Sequence, residues 1–254
     1  MEAERVVLVG REEDSTHILY HALATQYNTS LIYEESPSRL RTVLLRAKRL
    51  GWGRVLGQVL FQVLIAGPMY RISSTRRDAI IRQAGASTEP PDGTVARTPS
   101  VNSENLLDKL RELSPQVVVI NGTRILSART LGALKVPVLN THAGITPRYR
   151  GVHGAYWALV NRDPDHCGVT VHLVDAGIDT GAILYQETIT PAALDNFTTY
   201  PLMQVVAGSR LLCKAVEDVL HDRVRSIQGP AGSVRWYHPT LWQYLYRRMV
   251  QGVR

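Results

Sequence analysis

The 254-residue chain is long enough for one large α/β domain, or for a domain with a small appendage. Its 44% hydrophobic and 20% charged residues are typical of a globular protein. Two cysteines, Cys167 and Cys213, lie too far apart for a CxxC metal or redox motif, and they imply no disulfide framework. The sequence after Met1, EAER, lacks the basic and apolar stretches of a secretory signal, so a cytoplasmic location is expected.

The net charge of +7 is a local property of the chain. Residues 36–82 hold ten basic side chains and one acid, so this segment carries +9 and the rest of the chain −2. A solvated or dimer-lining helical face is the favoured interpretation, and a homodimer stays open. The alternative is an acidic partner such as a phosphate-bearing substrate, an anionic membrane or RNA, of which nucleic acid is disfavoured.

The first elements in chain order alternate between strand and helix. RVVLVG (5–10) has the apolar run of a buried strand, a helical pattern covers about 16–27, and TSLIY (29–33) predicts a second strand. Residues 39–84 depart from this alternation and indicate a helical insertion.

One segment of the insertion, GRVLGQVLFQVLIAGP (53–68), is apolar but shorter than the roughly 20 residues that span a membrane. Arg54, Gln58 and Gln62 recur at every fourth position, which places them on one stripe of a helix. We expect an amphipathic helix whose apolar stripe is buried against the body of the protein or a twin subunit. Peripheral contact with a membrane surface is the less favoured alternative.

The alternation resumes after a turn-rich stretch at 85–94. Asn102 is placed to cap a helix that ends near residue 113, QVVVI (116–120) predicts a strand covered on both faces, and Ser127 caps a short helix. VPVL (136–139) is the next strand, which ends at Asn140. Strand, helix and strand at this spacing predict a right-handed parallel crossover.

The loops NGTRIL (121–126) and NTHAG (140–144) both follow carboxyl ends of strands, so they should meet at one edge of the sheet, where sites form. Residues 168–190 predict two more strands joined by the connector DAGIDTG (175–181). A long helix covers about 201–220, and the tail forms a short amphipathic helix that docks.

The predicted fold is therefore α/β, with a Rossmann-like, open and mostly parallel sheet. We divide the chain into a catalytic domain at 1–200, which contains the insertion at about 36–84, and a C-terminal helical extension at 201–254.

The chemistry of the stretch LNTHAGITPRYRG (139–151) begins with Asn140 and His142, whose side chains lean to the same side of an extended segment. An amide and an imidazolium can stabilise an oxyanion, and imidazole can move the proton of an amine, so the pair suits acyl transfer to an amine. Asp175 or Asp179 in the connector could orient the imidazole. Without a serine or cysteine in a nucleophile elbow, a covalent acyl-enzyme is not indicated.

Simpler interpretations stay open for these residues. A single histidine after a strand is more often a structural hydrogen-bonding group, and Asp175 suits a turn. Arg148 and Arg150 could be solvated loop charges. A metal site built from His142, His153, His172, Asp175 and Asp179 lacks a tight HxH or HxxxH spacing, so no metal is expected. The first turn, GREED, is not a dinucleotide fingerprint.

The motifs NTHAGITPRYRGVHGAYWAL and, about thirty residues later, GVTVHLVDAGIDTGAILYQ together resemble the 10-formyltetrahydrofolate-dependent formyltransferases. The resemblance covers residues 116–190. It implies the formyltransferase fold and direct attack of an acceptor amine through a tetrahedral intermediate. It places the catalytic trio on Asn140, His142 and Asp179. It assigns the folate donor, 10-formyltetrahydrofolate, to two loops, which comprise Arg124, Ile125 and Leu126 and then Asp175, Ala176, Gly177 and Ile178.

Within this family, the class of acceptor is predicted by excluding the acceptors of other members. The first turn lacks the phosphate cradle of the glycinamide ribonucleotide enzymes, and about 55 residues after the core are too few for the C-terminal barrel of the methionyl-tRNA enzymes. A nucleotide-linked amino sugar, as in O-antigen or capsule polysaccharide biosynthesis, is therefore favoured. A methionyl-tRNA-like or glycinamide ribonucleotide-like acceptor stays open, as does a catalytically silent folate- or membrane-binding relative.

Overall fold

Nine strands are present in the computed structural model, which describes residues 4–254 except the side chain of Arg39. In chain order they are β1 (Arg5–Gly10), β2 (Asn28–Glu34), β3 (Ala96–Thr98), β4 (Val117–Asn121), β5 (Val138–His142), β6 (Arg150–Gly151), β7 (Gly168–Leu173), β8 (Ile183–Thr188) and β9 (Arg235–Trp236). Seven of them form one sheet in the order β3-β2-β1-β4-β5-β7-β8, and β6 pairs with β9. Neighbouring strands are parallel from β3 to β5, whereas β7 and β8 are antiparallel, so the predicted mostly parallel sheet is confirmed.

Helices cover both faces of the sheet. They are α1 (Asp14–Ala24), α2 (Arg39–Leu50), α3 (Trp52–Phe61), α4 (Gly67–Ile72), α5 (Ser74–Ala84), α6 (Glu104–Leu113), α7 (Ala128–Ala133), α8 (Gly154–Val160), α9 (Tyr200–Leu220) and α10 (Leu241–Gln251). Side chains of β1 alternate between two apolar clusters, with Leu8 on the side of α1 and α9 and Val9 on the side of α6. The division of the chain at residue 200 stays a prediction, but α9 packs on β5, β7 and β8 within the main core.

Two local predictions need correction. The strand read as VPVL extends through His142, because β5 pairs with β7 as far as that residue. The cap of α6 is Ser103, whose hydroxyl accepts from the amide of Leu106, whereas Asn102 bonds to a neighbouring loop. Ser127 caps α7 as predicted. Helix α8 and the β6–β9 pair were not predicted, since a seven-residue helix and a two-residue strand leave little periodicity to read.

The helical insertion at 39–84 is present as α2 through α5. Within it, α3, a π-helical turn (Gln62–Ala66) and α4 form one continuous helix, Trp52–Ile72. These 21 residues are long and apolar enough to cross a membrane, by length and composition alone. The sequence-based length argument against a membrane span is therefore wrong, because the helix extends beyond the apolar run at both ends.

The polar stripe of this helix is divided between protein and solvent, because Gln58 is buried whereas Arg54 and Gln62 are exposed. Gln58, only 2% exposed, accepts a hydrogen bond from Arg46 and donates one to the carbonyl oxygen of His238. Arg54 lies over the ring of Tyr237. The prediction that residues 54–66 bury their apolar side chains is confirmed for Val55, Phe61 and Ala66 and is wrong for a second apolar stripe, which is exposed. The exposed apolar side chains are Trp52, Leu56, Val59, Val63 and Leu64.

Two imidazole rings, His153 and His238, meet next to this helix. The Nε2 atom of His153 lies 2.8 Å from Nδ1 of His238, and the His153 ring packs on Phe197. A hydrogen bond between two imidazoles requires one nitrogen to accept, so the ring that accepts is neutral there. Burial lowers the pKa of His153 well below its usual value, and burial followed by the charge of Arg46 lowers the pKa of His238 to about 4.

We expect the free energy of unfolding to decrease as the pH falls below about 6.5, the pKa of histidine in an unfolded chain. The unfolded state then takes up a proton on His238 that the folded state does not, so the contribution is complete above that pH and is lost toward about 4. Between about pH 7 and about pH 5, His238 alone should lower the free energy of unfolding by about 1–2 kcal/mol. Urea unfolding at the two pH values measures it. His238→Asn keeps an acceptor without titrating, and an equal loss in this variant would contradict the assignment.

Candidate active site

A cleft of about 870 Å³ opens at the carboxyl edge of the parallel strands. Its walls are the loops after β4 and β5, the connector between β7 and β8, helix α2 and the C-terminal segment 235–238. Asn140 and His142 line it together with Asp175 and Asp179. The loops at 121–126 and 140–144 thus meet at one edge, as expected for segments that follow parallel strands.

The position of Asn140 and His142 follows from the register of β5. The two residues are two apart in a strand, so their side chains share one face. On the neighbouring antiparallel strand, His172 is paired with Asn140 and Thr170 with His142. The register therefore brings two imidazoles and one amide onto the same patch of the sheet.

The hydrogen bond of His142 fixes its tautomer. Its Nε2 atom lies 2.9 Å from the backbone carbonyl oxygen of Tyr149, which only accepts, so Nε2 carries a hydrogen. Gly144 permits this contact, since a Cβ there would collide with the same carbonyl oxygen and lie 2.9 Å from Nε2. The other nitrogen, Nδ1, lies 3.4 Å from Oδ1 of Asp179. This distance is longer than an ordinary hydrogen bond and leaves the lone pair of Nδ1 available.

A second imidazole, His172, orients the amide of Asn140. Its Nδ1 atom lies 2.7 Å from the carbonyl oxygen of Leu173 and must donate to it, so its Nε2 atom accepts. The amide nitrogen of Asn140 lies 3.2 Å from that Nε2. Burial lowers the pKa of His172, and nearby His142 lowers it further. His172 thus stays neutral and able to accept, which directs the Nδ2 side of the Asn140 amide.

Asp179 adopts a left-handed backbone conformation with a φ of 52°, which non-glycine residues rarely take. Its Oδ2 atom accepts from the amide of Gly151 at 2.9 Å, while Oδ1 faces His142. Arg150 donates to the carbonyl oxygen of Ile178 and ties the connector to the same loop. Asp175 accepts from its own turn, at the amide of Gly177 and the hydroxyl of Thr180, as expected for a turn-former.

The loop at 148–153 that holds both His142 and Asp179 is itself held by the C-terminal segment. The amide of Arg150 donates to the carbonyl oxygen of Val234, and the amide of Val152 donates to that of Trp236. The ring of Trp236 stacks on Trp157 with centroids 4.8 Å apart. The tail, for which the sequence indicated only docking, therefore braces the site.

Two polar side chains, the buried Glu34 and the exposed Asn102, hold the loop after β4. Glu34 accepts from the amide of Arg124 at 2.9 Å and from its guanidinium at 2.9 Å, and it also accepts from the amide of Val101. Asn102 donates to the carbonyl oxygen of Ile125 and accepts from the amide of Ser127. The conformation of 124–127 is thus fixed from both sides.

The cleft is lined by more basic than acidic side chains. Its two carboxylates are Asp175 and Asp179. Its guanidinium groups belong to Arg11, Arg46, Arg49, Arg124 and Arg235. The buried Nε atom of Arg11 has no hydrogen-bond partner among the described residues. Such a lining favours a ligand that carries phosphate or carboxylate groups.

Nine of the ten predicted site residues line this cleft. They are Asn140, His142, Asp179, Arg124, Ile125, Leu126, Asp175, Gly177 and Ile178. Ala176, at the exposed tip of the connector, does not line it.

A family model described as formyl transferase matches residues 67–209, which is more than half of the chain. The chain belongs to the formyl transferase family. The match contains β5, the connector and every residue of the trio Asn140, His142 and Asp179.

Two curated relatives of this chain are methionyl-tRNA formyltransferases. That of Thermodesulfovibrio yellowstonii is 33% identical over 118 residues, which cover 46% of this chain and 38% of the relative. That of Pelotomaculum thermopropionicum is 35% identical over 109 residues, which cover 42% of this chain and 34% of the relative. The matched region thus spans well under half the length of these relatives.

Solved structures share the fold of this chain at low sequence identity. A sugar N-formyltransferase from a Shewanella species is 16% identical with a TM-score of 0.56, covering 92% of this chain and 76% of that chain. Phosphoribosylglycinamide formyltransferase from Anaplasma phagocytophilum is 16% identical with a TM-score of 0.56, covering 92% and 96%. An N-formyltransferase from Helicobacter canadensis, in complex with folinic acid and dTDP-3-aminofucose, is 13% identical with a TM-score of 0.54, covering 92% and 70%.

Three groups that position the side chains and loops of this cleft could not be identified from the sequence alone. His172 was considered only as a metal ligand, although its place in a strand next to β5 could have indicated a partner for Asn140. Glu34 directly follows an apolar strand, and an acid at that position points to the carboxyl edge of the sheet. The role of the Tyr149 carbonyl left no side-chain signal in the sequence.

We expect Glu34→Gln to lower the free energy of unfolding by about 2–3 kcal/mol. The Glu34 side chain is fully buried, and the amide of glutamine would turn a donor toward groups that already donate. Urea unfolding measures the loss. Glu104→Gln is the control, because its ion pair with Arg129 is exposed and should contribute less than about 1 kcal/mol. Equal losses in the two variants would show that Glu34 does not anchor the loop.

Proposed function

We propose that this chain transfers a formyl group from 10-formyltetrahydrofolate to an acceptor amine, and that the acceptor is a nucleotide-linked amino sugar. One observation carries the proposal: Asn140, His142 and Asp179 lie together in the cleft, with the tautomer of the histidine and the orientation of the amide fixed by neighbours. This is the arrangement that acyl transfer to an amine requires.

The cleft suits the folate donor in size and lining. Its volume of about 870 Å³ lies within the range of about 300–1,000 Å³ for small-molecule sites. Ile125 and Leu126 offer an apolar wall, and the connector at 175–179 forms the opposite polar wall. When bound, the donor supplies the formyl group whose carbon the acceptor amine attacks.

Asn140 stabilises the negative charge that develops on the formyl oxygen. One hydrogen of its amide is used by His172, and the remaining hydrogen is available to the cleft. Because the neutral His172 holds the amide before the reaction, no reorganisation is needed when the charge appears.

His142 removes the proton that the attacking amine must lose. With Nε2 bonded to Tyr149, the accepting atom is Nδ1, and the imidazolium that forms lies 3.4 Å from the carboxylate of Asp179. Opposite charges at this separation stabilise one another, so Asp179 supports the protonated state of His142.

Basic residues of the cleft support a phosphate-bearing acceptor. Arg11, Arg46, Arg49 and Arg235 line the cleft, and a nucleotide-linked sugar offers a diphosphate to such groups. The Helicobacter canadensis neighbour, which shares the fold, was solved with a nucleotide-linked amino sugar. Methionyl-tRNA is the second candidate acceptor, because relatives at 33–35% identity act in that reaction by name.

The acceptor is tested by incubation of the protein with 10-formyltetrahydrofolate and two acceptor sets, nucleotide-linked amino sugars and methionyl-tRNA. Mass spectrometry should detect the gain of one formyl group on a nucleotide-linked amino sugar. Formylation of methionyl-tRNA alone would replace the proposed acceptor and keep the chemistry. No formyl transfer to either set would contradict both proposals.

We expect Asn140→Ala to reduce turnover about 10²–10³-fold, the usual effect of losing one oxyanion donor. Steady-state rates and circular dichroism measure activity and folding on the same samples. The exposed Asn28→Ala is the matched control and should keep its rate. A folded Asn140→Ala variant with near-native turnover would exclude the role of the amide.

A further inference from the structure

Three neighbouring helices leave an apolar surface open to solvent. Helix α3 packs against α2 and α10, and a side chain at Gly57 of α3 would collide with the ring of Trp242. The most exposed apolar groups on these helices and on α4 are Leu40, Leu44, Leu45, Trp52, Leu56, Val63, Leu64, Ile72, Trp242, Tyr246, Met249 and Val250. We call these residues the apolar surface. Clusters of this kind mark contact sites, because single exposed apolar residues are ordinary and contiguous ones are not.

The exposed apolar side chains of the helix Trp52–Ile72 follow a regular spacing. Trp52, Leu56, Val59 and Val63 recur at intervals of three and four residues, so they form one stripe. Trp52 and Val63 are 66% and 64% exposed. The polar Gln58, which could face water at no cost, is instead bonded to Arg46 and His238. This one apolar stripe therefore lies on the outside of the domain, while Val55, Phe61 and Ala66 of the same helix are buried.

The segments that carry the apolar surface are strongly basic. Residues 36–77 contain nine basic side chains and no acid, and residues 235–254 contain four basic side chains and no acid. Arg76 and Arg77 pair with Asp195 and Asp14. In the described part of the chain no carboxylate pairs with Arg41, Lys48, Arg49 or Arg71, which are exposed.

We propose that the apolar surface is a peripheral docking site for a bilayer that contains anionic lipid. Exposed leucine, valine and tryptophan side chains beside arginine and lysine are the features with which helices lie in a membrane interface. Negative headgroups attract the cations, and the apolar stripe enters the boundary of the acyl chains.

Charge favours the bilayer over a second copy of this chain. Two copies that met through this surface would bring two acid-free, basic segments together, and like charges repel. The bonds of Gln58 and the position of Arg54 over Tyr237 also hold the opposite side of the helix on the domain. The helix thus lies along the membrane surface and does not cross it.

The docking site adjoins the cleft. Helix α2 contributes Thr42, Leu45, Arg46 and Arg49 to the wall of the cleft, and its exposed Leu40 and Leu44 belong to the apolar surface. Contact with a membrane would therefore place the cleft next to the lipid headgroups. The proposal rests on the exposed surface alone and is independent of the acceptor.

Flotation of the full chain with lipid vesicles tests the proposal. The protein should float with vesicles of phosphatidylcholine mixed with phosphatidylglycerol, stay behind with phosphatidylcholine alone, and be released by salt. Emission of the exposed Trp52 should shift to shorter wavelength on binding, and Trp52→Phe should reduce the shift. Failure to float with the anionic vesicles would overturn the proposal.

Two variants test which groups bind the vesicles. Leu56→Ser with Val63→Ser should weaken partitioning about tenfold or more. Arg41→Gln with Arg71→Gln should weaken it about fivefold for each charge. The matched control, Arg129→Gln with Lys135→Gln, removes the same charge near α7 on the other side of the sheet and should bind more tightly than the Arg41, Arg71 variant.

Light scattering tests the remaining alternative, in which a second copy of this chain covers the apolar surface. All the substituted side chains are exposed, so circular dichroism melts should match the native protein. A native dimer that the Leu56, Val63 variant converts to a monomer, without flotation of either, would assign the apolar surface to a second copy and overturn the membrane proposal. Flotation unchanged in both surface variants would overturn it as well.

Discussion

The pairing of β5 with β7 is the constraint on which the rest of the site depends. It places His172 opposite Asn140 and keeps His142 on the same face two residues later. A slip of β5 by one residue would turn Asn140 and His142 to the other face of the sheet, away from His172. β5 is also the point where the sheet changes from parallel to antiparallel, so its carboxyl end lies between the parallel edge loops and the connector after β7. The loops at 121–126 and 175–179 meet the amide of Asn140 and the imidazole of His142 there for that reason.

The C-terminal segment connects this site to the helical insertion. Residues 234–236 brace the loop that positions His142 and Asp179. Next to them, the ring of Tyr237 lies under Arg54 of α3, and the carbonyl oxygen of His238 accepts a hydrogen bond from Gln58. A single stretch of chain thus supports the loop next to His142 and Asp179 on one side and holds α3 on the other. The exposure of one apolar stripe of this helix is consistent with the same contacts, because Gln58 is bonded to this segment while Leu56 and Val63 lie outside.

Regular elements could be predicted from the sequence where the periodicity was strong. β1 matches its predicted residues, and α9 and the strands around the connector agree within a few residues. The edge position of Asn140, His142 and Asp179 followed from loop placement and from the family resemblance. The orientation of α3 could not be predicted, because a hydrophobic stripe shows which residues share a face and not which face the body will cover. The roles of His172 and the Tyr149 carbonyl depend on pairing and loop closure, which arise only in the folded chain.

The most direct test of the account is a double-mutant cycle on His142 and Asp179, measured as the rate of formyl transfer to the acceptor that the protein formylates. The two groups face each other at 3.4 Å, and in the proposed mechanism they act on one proton, so they should behave as one unit. The account predicts that His142→Ala and Asp179→Asn each remove most of the activity, and that the double variant is little slower than the slower single variant. Losses that multiply in the double variant would contradict it, because Asp179 would then act independently of His142.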